Sequence, residues 1–173
     1  MKMKSRIIAL SAGILGFAAT SHSQATVTAT ATATIVTPIS ITKNTDMNFG
    51  NVAVQAATGG TVVLAPAGTR TRTSGVTLPA TAGTVTAAAF TVNGTGTYTY
   101  AITLPTSVTL THSGGAGTGT MSADTFTSTP SGTGALTAGT QNIAVGATLN
   151  VAAAQAPGVY VSSPGFDVTV NYN

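Results

Sequence analysis

Downstream of residue 25, no stretch of this sequence spaces its apolar residues for one face of a helix. Short runs alternate apolar with polar residues instead, and Gly, Pro, Asn or Ser interrupts them repeatedly. A repeat of two is the period of a strand, whose side chains point in turn to opposite faces of a sheet. Short strands with frequent turn signals close up as a sandwich or a barrel.

The clearest run is FTVNGTGTYTYAITLP, residues 90–105. Phe90 and Val92 lead into Asn93-Gly94, a preferred tight-turn pair. Tyr98, Tyr100, Ile102 and Leu104 then share one face, which predicts a hairpin with one buried side. TVVLA (61–65) and SGVTLP (74–79) read as strands flanking the loop AGTRTRT. GTVTAAAF (83–90) leads into the hairpin and SVTLT (107–111) leaves it. After a glycine-rich loop at 114–120 come MSADTFTS (121–128), then QNIAV (141–145) and TLNVAA (148–153) joined at Gly146-Ala147, then GVYVSS (158–163) and FDVTVNY (166–172). Roughly nine or ten short strands in one domain predict two packed antiparallel sheets. Phe166, Val168, Val170 and Tyr172 alternate along the last strand, which either completes a sheet or also offers an edge to another protein's strand.

Residues 26–36, TVTATATATIV, raise a separate question. Val27, Ala29, Ala31, Ala33 and Ile35 alternate with threonines, with no charge, glycine or proline. The pattern predicts a strand, and a strand at a chain end exposes unpaired backbone groups. It has three destinies: its own sheet, a neighbour's sheet, or a loose Thr-rich tether. As a donor it would reach about 36 Å at ~3.3 Å per residue, with Val27, Ala29, Ala31, Ala33 and Ile35 facing the acceptor's core.

The first residues read as a secretory signal: Lys2, Lys4 and Arg6, then the apolar run IIALSAGILGFAA (7–19), then the small-residue exit SHSQA (21–25). Cleavage after Ser23 and after Ala25 both fit. The expected organisation is a signal peptide at 1–23 (ending as late as 25), an N-terminal strand or extension at 24–36, and a β-sandwich at 37–173. The apolar run is too short to span a bilayer comfortably, so no stable membrane insertion is expected after processing. Beyond the signal, Lys43, Arg70 and Arg72 balance Asp46, Asp124 and Asp167. A neutral surface offers no footprint for phosphates, so nucleic acid is not an expected partner. The chain contains 0 cysteines, so stability has to come from a core rather than from disulfides.

Chemistry is sparse. His112 sits in LTHSGG and reads as a surface loop residue. Asp124 and Asp167 have no base nearby in sequence, with Asp167 expected to face solvent. No His/Cys spacing suits a metal, and no nucleophile-elbow signature is present. We expect no enzyme and no cofactor. LPATA (78–82) matches a sorting signal but lacks the apolar helix and basic tail that belong after it. Asn93-Gly94-Thr95 matches a glycosylation acceptor but has a turn explanation. Arg70 and Arg72 read as solubilising charges, or as a grip on an anionic glycan.

Residues 32–52, TATIVTPISITKNTDMNFGNV, resemble the opening of a bacterial secreted family catalogued as domain of unknown function 4402, with its Pro-Ile-Ser-Ile-type strand followed by Met47-Asn48-Phe49-Gly50. The resemblance runs on through VVLAPAGTRT (62–71) and TQNIAVGATLNVAAAQAPGVY (140–160). More distantly, Asn48 to Gly50, Pro157-Gly158-Val159-Tyr160 and the last strand, Phe166 to Tyr172, are similar to archaic chaperone–usher pilins and spore-coat-U-like proteins. That similarity implies an immunoglobulin-like, pilin-like sandwich lacking one strand, which the N-terminal extension of the next subunit supplies. The expected function is therefore an exported structural subunit of a surface filament or extracellular matrix, secreted or at the cell surface after transit through the periplasm. It would associate with itself or with related subunits through 26–36, at an acceptor edge beside Phe166, Val168, Val170 and Tyr172 that a periplasmic chaperone could cap first. The alternative expectation is a monomeric secreted adhesin or glycan-binding module using Arg70–Arg72 and the 114–119 loop.

Overall fold

The computed structural model describes residues 23–114 and 119–173. The first 22 residues of the predicted signal and the middle of the glycine-rich loop lie outside this description. The sandwich unit spans Ile35–Asn173. Its strands are β1 (Ser40–Thr45), β2 (Ala53–Val54), β3 (Gly60–Leu64), β4 (Arg70–Arg72), β5 (Val76–Thr77), β6 (Ala88–Asn93), β7 (Thr99–Thr103), β8 (Ser107–Ser113), β9 (Thr120–Thr129), β10 (Thr133–Ala135), β11 (Thr140–Val151), β12 (Val159–Val161) and β13 (Thr169–Tyr172). Every pairing is antiparallel. The fold is an all-β sandwich.

One layer is an eight-stranded sheet in the order β1-β6-β11-β9-β8-β12, with β3 and β4 added along the far half of β11. The second layer consists of a three-stranded sheet, β10-β7-β13, and a two-stranded one, β2-β5. Two clusters form the core. Phe90, Val92, Tyr100, Ile102, Ile143, Val145 and Val170 fill the space under the three-stranded sheet. Phe49, Val62, Leu64, Val76, Ala123, Leu149 and Val151 form the second cluster, with Met47 and Phe126 packed against both.

Several sequence expectations need correction. Phe90 to Leu104 is not a hairpin. β6 pairs with β1 and β11, whereas β7 pairs with β10 and β13 in the other layer. Both strands present buried faces, β6 with Phe90 and Val92 and β7 with Tyr100 and Ile102, and two such faces bury each other best across a core. Asn93-Gly94 therefore opens an arch between layers. Residues 141–153 are likewise not two strands joined at Gly146-Ala147. β11 runs unbroken from Thr140 to Val151, and Gly146 is there because a Cβ would overlap the Leu64 carbonyl oxygen of β3. Arg70–Arg72 is strand β4 on β3, not a loop. His112 belongs to β8, opposite Tyr160 of β12. Finally, no residue from 23 to 39 lies in a strand of this chain.

Candidate functional site: an apolar groove and an unpaired leader

The second layer leaves part of the large sheet uncovered. A cavity of about 1270 Å³ opens there, bounded on one side by residues 43–54, which end in β2, and on the other by 155–166, which lead towards β13. Its floor is the inner face of the large sheet: Ala88 and Phe90 of β6, Leu110 of β8, Met121 of β9, and Leu149 and Val151 of β11. Among the described residues, Lys43 and Asp46 are the only charged ones lining it, and they neutralise each other through an exposed ion pair of 2.6 Å. A site of this kind suits an uncharged, apolar occupant.

The first wall is built by Met47-Asn48-Phe49-Gly50. Asn48 forms a reciprocal backbone bridge with Thr86 (2.8 and 3.0 Å), and its side-chain oxygen accepts from the Gly50 amide at 2.8 Å. Gly50 sits at φ +68°, a left-handed backbone that glycine adopts at no steric cost, and a Cβ there would overlap the Ala82 carbonyl oxygen. The turn drives Phe49 inward, leaving it 8% exposed. Arg70 then reaches across from β4 and donates to the carbonyls of Phe49 and Asn51. Its guanidinium is a strut for this wall. Arg70 is thus half-buried and structural through Nη1, not simply a solvated charge, whereas Arg72 is exposed.

The second wall is built by Pro157-Gly158-Val159-Tyr160. The Tyr160 hydroxyl donates to the Ala156 carbonyl and accepts from Gln155 Nε2, both at 2.8 Å. His112 meets the Tyr160 ring edge-on at 5.0 Å, and its Nε2 donates to the Pro157 carbonyl at 3.2 Å. Gly158 is required because a Cβ would overlap the imidazole. His112 thus secures a loop and is not a free surface residue. Phe166 stacks at a tilt on Phe126, ring centres 5.1 Å apart, and completes the wall.

The predicted interaction residues fall in different places. Val27 and Ile35 are 96% exposed, and Ala29, Ala31 and Ala33 are exposed as well. Of the C-terminal residues, Phe166 lines the groove, Val168 packs against the first core cluster, and Val170 is part of it. Tyr172 is half-buried, its ring edge-on to Tyr98 with centres 5.7 Å apart. β13 is the end strand of its sheet, paired only with β7. Sequence reasoning singled out Met47-Asn48-Phe49-Gly50 of the first wall as a motif but missed the floor residues as part of a site. Their alternation marked them as core, and nothing in the order of residues told which part of the core lacked a cover.

Other chemistry is limited among the described residues. They contain no group of three or more His, Cys, Asp or Glu able to hold a metal, and no helix long and apolar enough to cross a membrane. Burial raises the pKa of the Tyr100 phenol above its ordinary value. Its hydroxyl donates to Gln141 Oε1 at 2.7 Å, so it serves the core and not the groove.

Fold and site together define an antiparallel all-β sandwich whose second layer is open over an apolar groove. The chain belongs to the family described as "Domain of unknown function (DUF4402)", whose model matches residues 39–172 and so covers the sandwich from just before β1 to the end of β13. No curated protein and no solved structure matches the chain.

Proposed function

We propose that this protein is an exported structural subunit of a surface filament or extracellular matrix, assembled by β-strand donation. Residues 26–36 of one copy lie in the groove of the next. The observation that carries this is the groove itself: a cleft of no net charge opening onto core residues, in a chain that also holds an exposed, alternating segment with no strand partner of its own. Burying Val27 and Ile35 contributes roughly 1.5–3 kcal/mol each, and each backbone bond to an unpaired edge adds a net of about 0.5–1.5 kcal/mol. Small alanines between the two large residues match a groove whose floor already carries bulky Phe90, Leu110, Met121 and Leu149. On this account the sandwich is immunoglobulin-like and pilin-like, short of one strand. Residues 1–23 direct export, and a periplasmic chaperone covers the groove before assembly.

Ala31→Asp in the otherwise intact chain tests the proposal. It places a carboxylate on the face that would be buried, where an unpaired charge is not tolerated. The expected result is loss of oligomers in size-exclusion chromatography with the melting temperature of the monomer unchanged. Oligomers of undiminished size would contradict strand donation.

A further inference from the structure

The leader enters the sandwich through a clamp. The Thr37 amide donates to Thr95 Oγ1 at 2.9 Å, and the Thr37 carbonyl accepts from the Tyr172 hydroxyl at 3.0 Å. That hydroxyl in turn accepts from the Thr95 amide at 2.7 Å. The Tyr172 oxygen occupies the space that a Cβ on Gly94 would need. Both backbone polar groups of Thr37 are thereby fixed to the arch that follows β6 and to the last strand.

The clamp and the groove lie at opposite ends of β1. Ser40 stands opposite Asn93, next to the arch, while Thr45 stands opposite Ala89, and the groove is first lined at Lys43. Thr37 to Lys43 spans about 20 Å at ~3.3 Å per residue. A leader turning back upstream of Thr37 has residues 26–34, about 30 Å of strand, and uses two-thirds of it merely to reach the groove. Roughly three residues would remain for a wall that runs from Lys43 to Val54. Releasing Thr37 moves the point of reversal towards β1 and gives the leader several more residues inside.

We propose that Tyr172 is a positioning residue: by fixing Thr37 it denies the leader its own groove and reserves that groove for the leader of a second copy. The proposal rests on strand donation as the function. It also gives the penultimate tyrosine a role distinct from a contact on an acceptor edge.

The chain contains 0 cysteines, so an introduced pair reports uniquely. In the exported full chain, Ala31→Cys and Val161→Cys put one thiol on the leader and one on the groove wall. After mild oxidation, mass spectrometry measures the ratio of intermolecular to intramolecular disulfide. With Tyr172 in place the intermolecular form should dominate, and Tyr172→Phe should lower the ratio at least tenfold, equivalent to about 1.4 kcal/mol. Thr95→Val, which frees the Thr37 amide, should move the ratio the same way and serves if Tyr172→Phe does not fold. A ratio unchanged by both substitutions, with intermolecular links still abundant, would overturn the clamp while leaving strand donation standing. Absence of intermolecular links in every chain would overturn both.

Discussion

Tyr100 has 0% exposure and donates a hydrogen bond to Gln141, whose side-chain oxygen also accepts from the Ala135 amide at 2.9 Å. Burial holds this phenol protonated above the usual tyrosine range. The sign of the consequence follows from linkage. Above about pH 10 the unfolded chain releases the Tyr100 proton and the folded chain keeps it, so alkali favours unfolding. Stability should fall from about pH 10 upward until the raised folded pKa is passed. Tyr100→Phe should cost about 1 kcal/mol near neutrality and flatten the alkaline decline, as read from urea midpoints between pH 8 and 11. An unchanged alkaline slope would assign that decline to other groups. Residues of this kind were half legible in sequence. The alternation of Tyr98, Tyr100, Ile102 and Leu104 marks a buried face, but Tyr98 is 47% exposed. Asn48-Phe49-Gly50 was legible as a motif, yet its work depends on Arg70, distant in sequence and free to be read as a solvated charge.

Strands were recognised far more reliably than their partners. Most β segments stand within a few residues of where alternation and turn signals put them, because period and punctuation are local properties. Pairing is not local. Asn93-Gly94 signals a tight reversal, and a reversal serves a hairpin and an arch alike. Only the competition between two buried faces decides for the arch. Gly146 misleads in a similar way, since a glycine within an apolar run reads as a break between strands. Here it lets β3 approach the middle of β11, which carries neighbours on both edges. Gly146→Val should therefore push β3 off the sheet and destabilise the domain by about 3 kcal/mol, measured by chemical denaturation. A loss below about 0.5 kcal/mol, the range of an ordinary surface change, would mean that the close approach to Leu64 is dispensable.

At the scale of the molecule, the proposed function has leader and groove complement each other across two copies. With the groove at one end of β1 and the leader rooted at the other, a copy whose groove is filled would still present its own leader to a third copy. Head-to-tail contacts of this sort leave an unfilled groove and an unused leader at the ends, so growth is open. Residues 26–36 read in the sequence as a strand without an obvious home, and within this chain they take up no strand. The groove was not, because an incomplete layer is a property of the assembled sandwich. The most direct test is sedimentation velocity of the chain from residue 24 onward, with and without residues 25–36, over a hundredfold range of concentration. Strand donation predicts a concentration-dependent series of assemblies for the intact chain and a single monomeric boundary for the deleted one. The same distribution from both chains would contradict it.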